Sequence, residues 1–147
     1  LRSNSRMRMP ANKRTDAYLD VVEQAGLSAL VREVEFVKPD DEKGAVVAKI
    51  LDENPDIDGI FAGDDTMAAI CLNVMKQRGL SAPDDIKVVG ADGARRTMTF
   101  MPDLTTVRQD IDRIGELAAQ SIIALINGDN PESNIKLPVE LIEGKTA

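Results

Sequence analysis

The chain has 147 residues, of which 43% are hydrophobic and 29% are charged, enough to form one folded domain with its own core. The formal net charge is −7, and so acidic a surface repels phosphate backbones, which argues against nucleic-acid binding by this segment alone. A basic cluster near the start is the exception, although such charge runs are more often solvated stretches than binding sites. It consists of Arg2, Arg6, Arg8, Lys13 and Arg14.

The side chains available for catalysis are few. Histidine is absent, which removes the usual general base and the commonest metal ligand. Cys71 is the only cysteine, so the chain can form no internal disulfide, and the cytoplasm is the expected compartment. No P-loop or GxGxxG run is present, and no apolar run approaches the roughly 20 residues of a membrane span. We predict no catalytic residue, no cofactor and no membrane partner.

Helical and strand patterns alternate, which predicts an α/β fold with a parallel sheet flanked by helices. The first residue is leucine, and we expect the chain to be a fragment of a longer gene product. In chain order, the predicted elements are a helix over 17–25, a strand over 27–36, a helix that opens at 39–41 and is closed by 54–55, a strand over 57–62, a helix over 67–79, a strand over 86–89, a loop or broken helix to 102, a strand over 104–107, an amphipathic helix over 110–127 and a half-buried strand over 135–141.

Two aspartates follow predicted strands, where ligands bind in open α/β sheets. Asp64 follows the strand at 57–62, and Asp92 follows the strand at 86–89. Carboxylates accept the paired hydrogen bonds that neighbouring sugar hydroxyls donate. A purely structural interpretation remains open, because aspartate also caps helices and occupies turns. Both can hold at once, with Asp65 as the helix cap and Asp64 facing outward.

The same two aspartates also leave an enzyme open as an alternative. Carboxylates on a parallel sheet can hold Mg²⁺ for phosphate chemistry. This alternative predicts tight magnesium binding, whereas a sugar-binding lobe predicts none, and we expect no metal ligand in the chain.

Several segments, in order, resemble one known family. Residues 60–68 (IFAGDDTMA) are similar to a segment of the lactose-repressor/galactose-repressor family, and four further segments continue the match over essentially the whole chain. These are 78–86 (RGLSAPDDI), 88–92 (VVGAD), 102–109 (PDLTTVRQ) and 137–141 (LPVEL).

The resemblance implies the C-terminal lobe of a fold like that of periplasmic sugar-binding proteins. Residues 1–109 and 129–147 would form this lobe, its first strand largely missing, while 110–128 would cross to the N-terminal lobe. The DNA-binding domain would lie outside this chain, so operator DNA would be contacted only through it. We further expect a partner segment or altered strand pairing to fill the place of the missing strand, or the fragment to be only marginally stable.

The resemblance also implies binding of a small sugar effector in the cleft between the lobes. On this basis we expect contacts from Arg14, Asp64, Asp92 and Gln109. Asp64 stands where the family usually has asparagine, so a charge replaces an amide donor and we expect the preferred effector to differ from that of other members. An exported sugar-binding protein of the same fold is the second alternative.

The family is dimeric, and the helix at 67–79 is apolar on more than one side. The resemblance therefore implies a homodimer. The expected interface residues are Ala68, Leu72, Met75, Thr97 and Phe100. The alternative is that the apolar positions only fill the core of the chain itself.

Overall fold

The structure is a computed structural model that describes residues 2–4, 10–35 and 37–147. Its strands are β1 (Arg2–Asn4), β2 (Glu33–Glu35), β3 (Gly59–Phe61), β4 (Lys87–Asp92), β5 (Thr105–Gln109) and β6 (Val139–Ile142). Its helices are α1 (Pro10–Gln24), α2 (Asp40–Glu53), α3 (Asp65–Gln77), α4 (Arg95–Phe100) and α5 (Ile111–Ile126).

A four-stranded sheet in the order β3-β4-β5-β6 carries the fold. Strands β3, β4 and β5 are parallel neighbours, and β6 pairs antiparallel with β5 at the edge. In the described part of the chain, β1 and β2 form a separate parallel pair. The predicted α/β fold with a mainly parallel sheet is confirmed. The antiparallel edge strand was not predicted, because an alternating pattern does not reveal strand direction.

Helix α3 packs against β4 and supplies much of the core. Ala68, Cys71 and Met75 are at most 1% exposed, and Val88 of β4 is completely buried. Burial raises the pKa of the Cys71 thiol to about 11. A thiol with so high a pKa is almost entirely protonated at neutral pH and is therefore a poor nucleophile.

The same burial corrects two of the expected interface residues. Ala68 and Met75 fill the core of this chain, so their side chains are not available to a partner in this conformation. Leu72 packs on that core while partly exposed, and Phe100 on α4 is 75% exposed. The apolar face of α3 is therefore, for the most part, an internal surface, as the alternative interpretation held.

The predicted strand over 27–36 is wrong for most of its length. Only Glu33–Glu35 is a strand among its described residues, while Leu27 and Leu30 are 68% and 37% exposed. Strand propensity depends on pairing with a neighbour, and residues 27–32 have no ladder partner. They line a cavity of about 710 Å³ whose opposite walls come from α1, α2 and β3.

The last third of the chain agrees with prediction at one point and departs from it at another. The segment after β4, predicted as a loop or broken helix, contains the short helix α4, which agrees with a broken helix. The last strand is not half-buried over 135–141, because β6 spans Val139–Ile142 with Val139 and Leu141 62% and 56% exposed. No helix in the described residues is long and apolar enough to cross a membrane.

Candidate functional site

The predicted ligand residues converge on one edge of the sheet. Because β3, β4 and β5 run parallel, their carboxyl ends meet at the same edge, where open α/β sheets bind ligands. Asp92 and Gln109 are the last residues of β4 and β5, and Asp64 stands between β3 and α3. All three therefore lie along this edge.

Arg14 reaches this edge from α1. Its Nη2 donates to Oδ1 of Asp92 at 2.5 Å, and its Nη1 donates to the carbonyl oxygen of Gly63 at 2.5 Å. Nε2 of Gln109 donates to the same Oδ1 of Asp92 at 2.7 Å. Three of the four predicted effector contacts thus form one hydrogen-bonded cluster centred on the Asp92 carboxylate.

Asp92 adopts an unusual backbone conformation. Its φ of 108° makes it the one described non-glycine residue with positive φ. Such conformations are strained for a residue with a Cβ, and they concentrate at functional sites. The next residue, Gly93, has φ 58°, and a Cβ there would lie 2.6 Å from Cβ of Arg108. The turn after β4 is therefore tightly specified, and it presents Asp92 to Arg14.

Asp64 takes the helix-capping role that was expected of Asp65. Asp64 is the N-cap of α3, where its Oδ1 accepts from the backbone N–H of Met67 at 2.8 Å. The side chain of Asp65 is instead directed inward, and the residue is 3% exposed. The expectation of Asp65 as cap was wrong, because the helix begins at Asp65 itself, one residue earlier than a cap at Asp65 requires. Asp64 remains partly exposed at the sheet edge.

Asp65 is the residue that sequence reasoning missed. Its Oδ2 accepts from the N–H of Gly93 at 2.9 Å, and its Oδ1 accepts from the hydroxyl of Thr106 at 2.5 Å. Burial raises the pKa of this carboxyl, while the hydrogen bonds from Thr106, Gly93 and Ala94 oppose the rise. The doubled aspartate at 64–65 was a usable signal, since one residue suffices to cap the helix and the other then needs a different purpose.

The edge presents both donors and acceptors to solvent. Arg14 and Asp92 have side chains that are 24% and 35% exposed, so neither is sealed off. A guanidinium has five N–H donors, and two from Arg14 have described acceptors. The edge carries one cation, the Arg14 guanidinium, and two carboxylates, those of Asp64 and Asp92. It therefore favours a neutral, hydroxyl-rich molecule over an anion.

The Mg²⁺ alternative finds little support in this geometry. Arg14 already places a cation beside Asp92, and Oδ1 of Asp64 is engaged at the helix cap. Among residues 2–4, 10–35 and 37–147, no group of three or more His, Cys, Asp or Glu side chains could hold a metal ion.

Comparison with known proteins identifies the family. Residues 2–147 match the family described as periplasmic binding protein-like domain. The chain is 31% identical over 138 residues to a ribose operon repressor of Halalkalibacterium halodurans, covering 93% of this chain and 41% of the repressor. It is 34% identical over 140 residues to a sucrose operon repressor of Pediococcus pentosaceus, covering 94% of this chain and 43% of that repressor.

A solved structure agrees with these relatives. A LacI family transcriptional regulator from an Arthrobacter species, in complex with lactose, superposes with a TM-score of 0.82 at 26% identity, covering 99% of this chain and 54% of the regulator. The chain spans less than half the length of the ribose and sucrose operon repressors described above. It belongs to the periplasmic binding protein-like family, in the branch of the LacI-type transcription regulators.

Proposed function

We propose that this chain is the sugar-sensing lobe of a LacI-type transcriptional repressor of carbohydrate genes. The observation that carries the proposal is the cluster of Arg14, Asp92 and Gln109 at the carboxyl ends of β4 and β5. Such a set can exchange hydrogen bonds with neighbouring hydroxyls of a sugar. The relatives are named as ribose and sucrose operon repressors, and a structural neighbour is complexed with lactose.

Asp64 belongs to the proposed sugar contacts as well. Its Oδ1 is used at the cap of α3, and a carboxylate has a second oxygen that can accept hydroxyl groups. Together with Asp92 it makes this side of the cleft acidic. A phosphorylated sugar would therefore place its phosphate away from these two residues, against the other lobe.

The lobe arrangement is part of the proposal. Residues 1–109 and 129–147 form the C-terminal lobe, and 110–128 cross to the N-terminal lobe. None of the residues of α5 is buried, although its sequence is apolar, with Ile122, Leu125 and Ile126 58%, 61% and 78% exposed. A helix with so exposed an apolar surface needs a partner surface to cover it, and the N-terminal lobe is the one we propose.

Sugar binding would act through the angle between the lobes. A ligand shifts a conformational equilibrium only by its difference in affinity for the two states. The proposed repressor is cytoplasmic, performs no catalysis and contacts operator DNA through a separate domain. Its proposed homodimer interface includes Leu72, Thr97 and Phe100, the expected interface residues that remain at least partly exposed.

The experiment that tests the function class is a thermal-shift panel on the full-length gene product. The panel contains ribose, sucrose, lactose, their phosphate esters and MgCl₂. Stabilisation by one or two neutral sugars supports the proposal, because a ligand that binds the folded state raises its unfolding temperature. Stabilisation by Mg²⁺ and by no carbohydrate would favour the enzyme alternative instead.

A further inference from the structure

Asp65 joins three separate elements beneath the proposed sugar site. It is the first residue of α3, it accepts from Gly93 in the turn after β4, and it accepts from Thr106 in β5. Both hydrogen-bond partners are distant from Asp65 in sequence, 28 and 41 residues away. One carboxylate therefore links the start of the helix to the turn after β4 and to Thr106 in β5, and these are the two strands that carry Asp92 and Gln109.

The side chain of Asp65 fits tightly between the helix and the sheet. A Cβ on Gly90 would lie 2.6 Å from Oδ1 of Asp65 and 3.2 Å from Cδ2 of Leu104. Glycine at position 90 is therefore required for the carboxylate to approach the backbone of β4. An ionisable group this buried is unfavourable unless donors satisfy it, and Gly93 and Thr106 supply such donors.

The turn that Asp65 holds is the strained one. Gly93 donates its N–H to Asp65 directly after Asp92, whose φ is 108°. A strained conformation persists only where its surroundings fix it. The hydrogen bond from Gly93 to Asp65 is such a restraint, and it acts on the residue adjacent to the strained one.

We propose that Asp65 is a positioning residue: it fixes the turn after β4 so that the Asp92 carboxylate faces Arg14 and Gln109, without touching the sugar itself. The identity of the ligand in this inference rests on the proposed function. The geometry of the turn does not, since it can be observed with no ligand present. Asp64 and Asp65 would then act as a pair, one at the sugar and one beneath it.

The test compares variants of the full-length gene product by calorimetric titration with ribose, sucrose and lactose, and by hydrogen exchange of the peptide covering residues 92–94. Asp65→Ala removes both acceptors, so we expect affinity to fall at least about tenfold and exchange at 92–94 to accelerate. Asp65→Asn should recover most of the affinity, because its amide oxygen can accept from Gly93 and its NH₂ can donate to Thr106. Thr106→Val is the milder second variant, with an expected loss of about threefold.

Asp85→Ala is the matched control. Oδ2 of Asp85 also accepts from one backbone N–H and one hydroxyl, both of Ser81, but this turn precedes β4 at the opposite edge of the sheet. The sugar affinity of the Asp85→Ala variant should stay within about twofold of that of the parent.

Two results would overturn the positioning role. One is that Asp65→Ala loses affinity only in proportion to its lowered melting temperature, while hydrogen exchange at 92–94 is unchanged. The other is that Asp65→Asn binds sugar no better than Asp65→Ala. Should the parent bind none of the three sugars, the proposed ligand class fails while the exchange measurement still decides the role of Asp65.

Discussion

Nη2 of Arg14 lies 2.5 Å from Oδ1 of Asp92, although 78 positions separate the two residues in the chain. This contact joins α1 to the end of β4. Because both side chains remain partly open to solvent, the pair adds little to folding stability by comparison with buried interactions. The pair holds a donor and an acceptor side by side at the carboxyl ends of the strands, where we propose that the sugar binds.

Arg14→Lys keeps the positive charge and removes the planar fork of donors. We expect sugar affinity to fall at least about tenfold, because a lysine cannot donate to Gly63 and Asp92 from two separate nitrogens. The free energy of unfolding should change by less than about 1 kcal/mol. Calorimetric titration and urea unfolding measure the two quantities. Full sugar affinity in the lysine variant would show that the guanidinium of Arg14 does not contribute to sugar binding.

Gly93→Ala should damage the site more than a similar change elsewhere. Its φ is 58°, and the new Cβ would meet Arg108 at 2.6 Å, so we expect a loss of about 2–3 kcal/mol in the free energy of unfolding together with weaker sugar binding.

Gly79→Ala is the control for the backbone conformation alone. Gly79 has φ 74°, and a Cβ there meets nothing within 4 Å. The Gly79→Ala variant should lose less free energy of unfolding, about 1 kcal/mol, and its affinity for sugar should be unchanged. Equal losses in the two variants, measured by urea unfolding, would show that the contact with Arg108 contributes nothing.

Asp65 should make stability depend on pH. Burial holds its pKa in the folded protein above the ordinary value of 3.8, so the folded state binds more protons than the unfolded state between these two values. The contribution of Asp65 is then fully present below pH 3.8 and is lost as pH rises through the raised pKa. Asp65→Asn should therefore gain stability relative to the parent across that interval, as measured by urea unfolding at a series of pH values.

Asp85→Asn should show the opposite slope. Hydrogen bonds from Ser81 lower the pKa of Asp85, so its contribution is present above the ordinary aspartate value and is lost as pH falls through the lowered pKa. Parallel pH profiles for the Asp65 and Asp85 variants would contradict the assignment of a raised pKa to Asp65.

Phe100→Lys should shift the proposed dimer towards monomer, since a charge at a desolvated contact is unfavourable. Phe100 is 75% exposed, so the fold of the lobe itself should be unaffected. Sedimentation velocity gives the oligomeric state. Leu72→Lys is the second variant at this surface. An unchanged dimer in both would exclude this surface as the interface.

The sequence predicted most elements that have a clear local hydrophobic periodicity and end signals. Helix α5 begins after the predicted cap Asp110, which accepts from the N–H of Arg113, and α3 lies where its apolar spacing indicated. Failures came where tertiary pairing decides the outcome. Residues 27–32 have strand-forming composition without a strand partner, and an apolar face on α3 cannot reveal whether it meets the sheet of its own chain or another molecule.

The sequence predicted which residues form the site, but not which hydrogen bonds each of them makes. Position after a strand and family resemblance pointed to Arg14, Asp92 and Gln109, and the structure brings these three together. Neither signal could assign cap and buried roles between Asp64 and Asp65. That division depends on the one-residue phase at which α3 begins and on the space that Gly90 leaves for a carboxylate.

The most direct test of the sugar-binding claim is calorimetric titration of the full-length gene product and its Asp92→Ala variant with ribose, sucrose and lactose. The account predicts that the parent binds at least one of these sugars and that the variant loses at least about a hundredfold in affinity, with its melting temperature nearly unchanged. A variant that binds the same sugar as tightly as the parent would contradict the account.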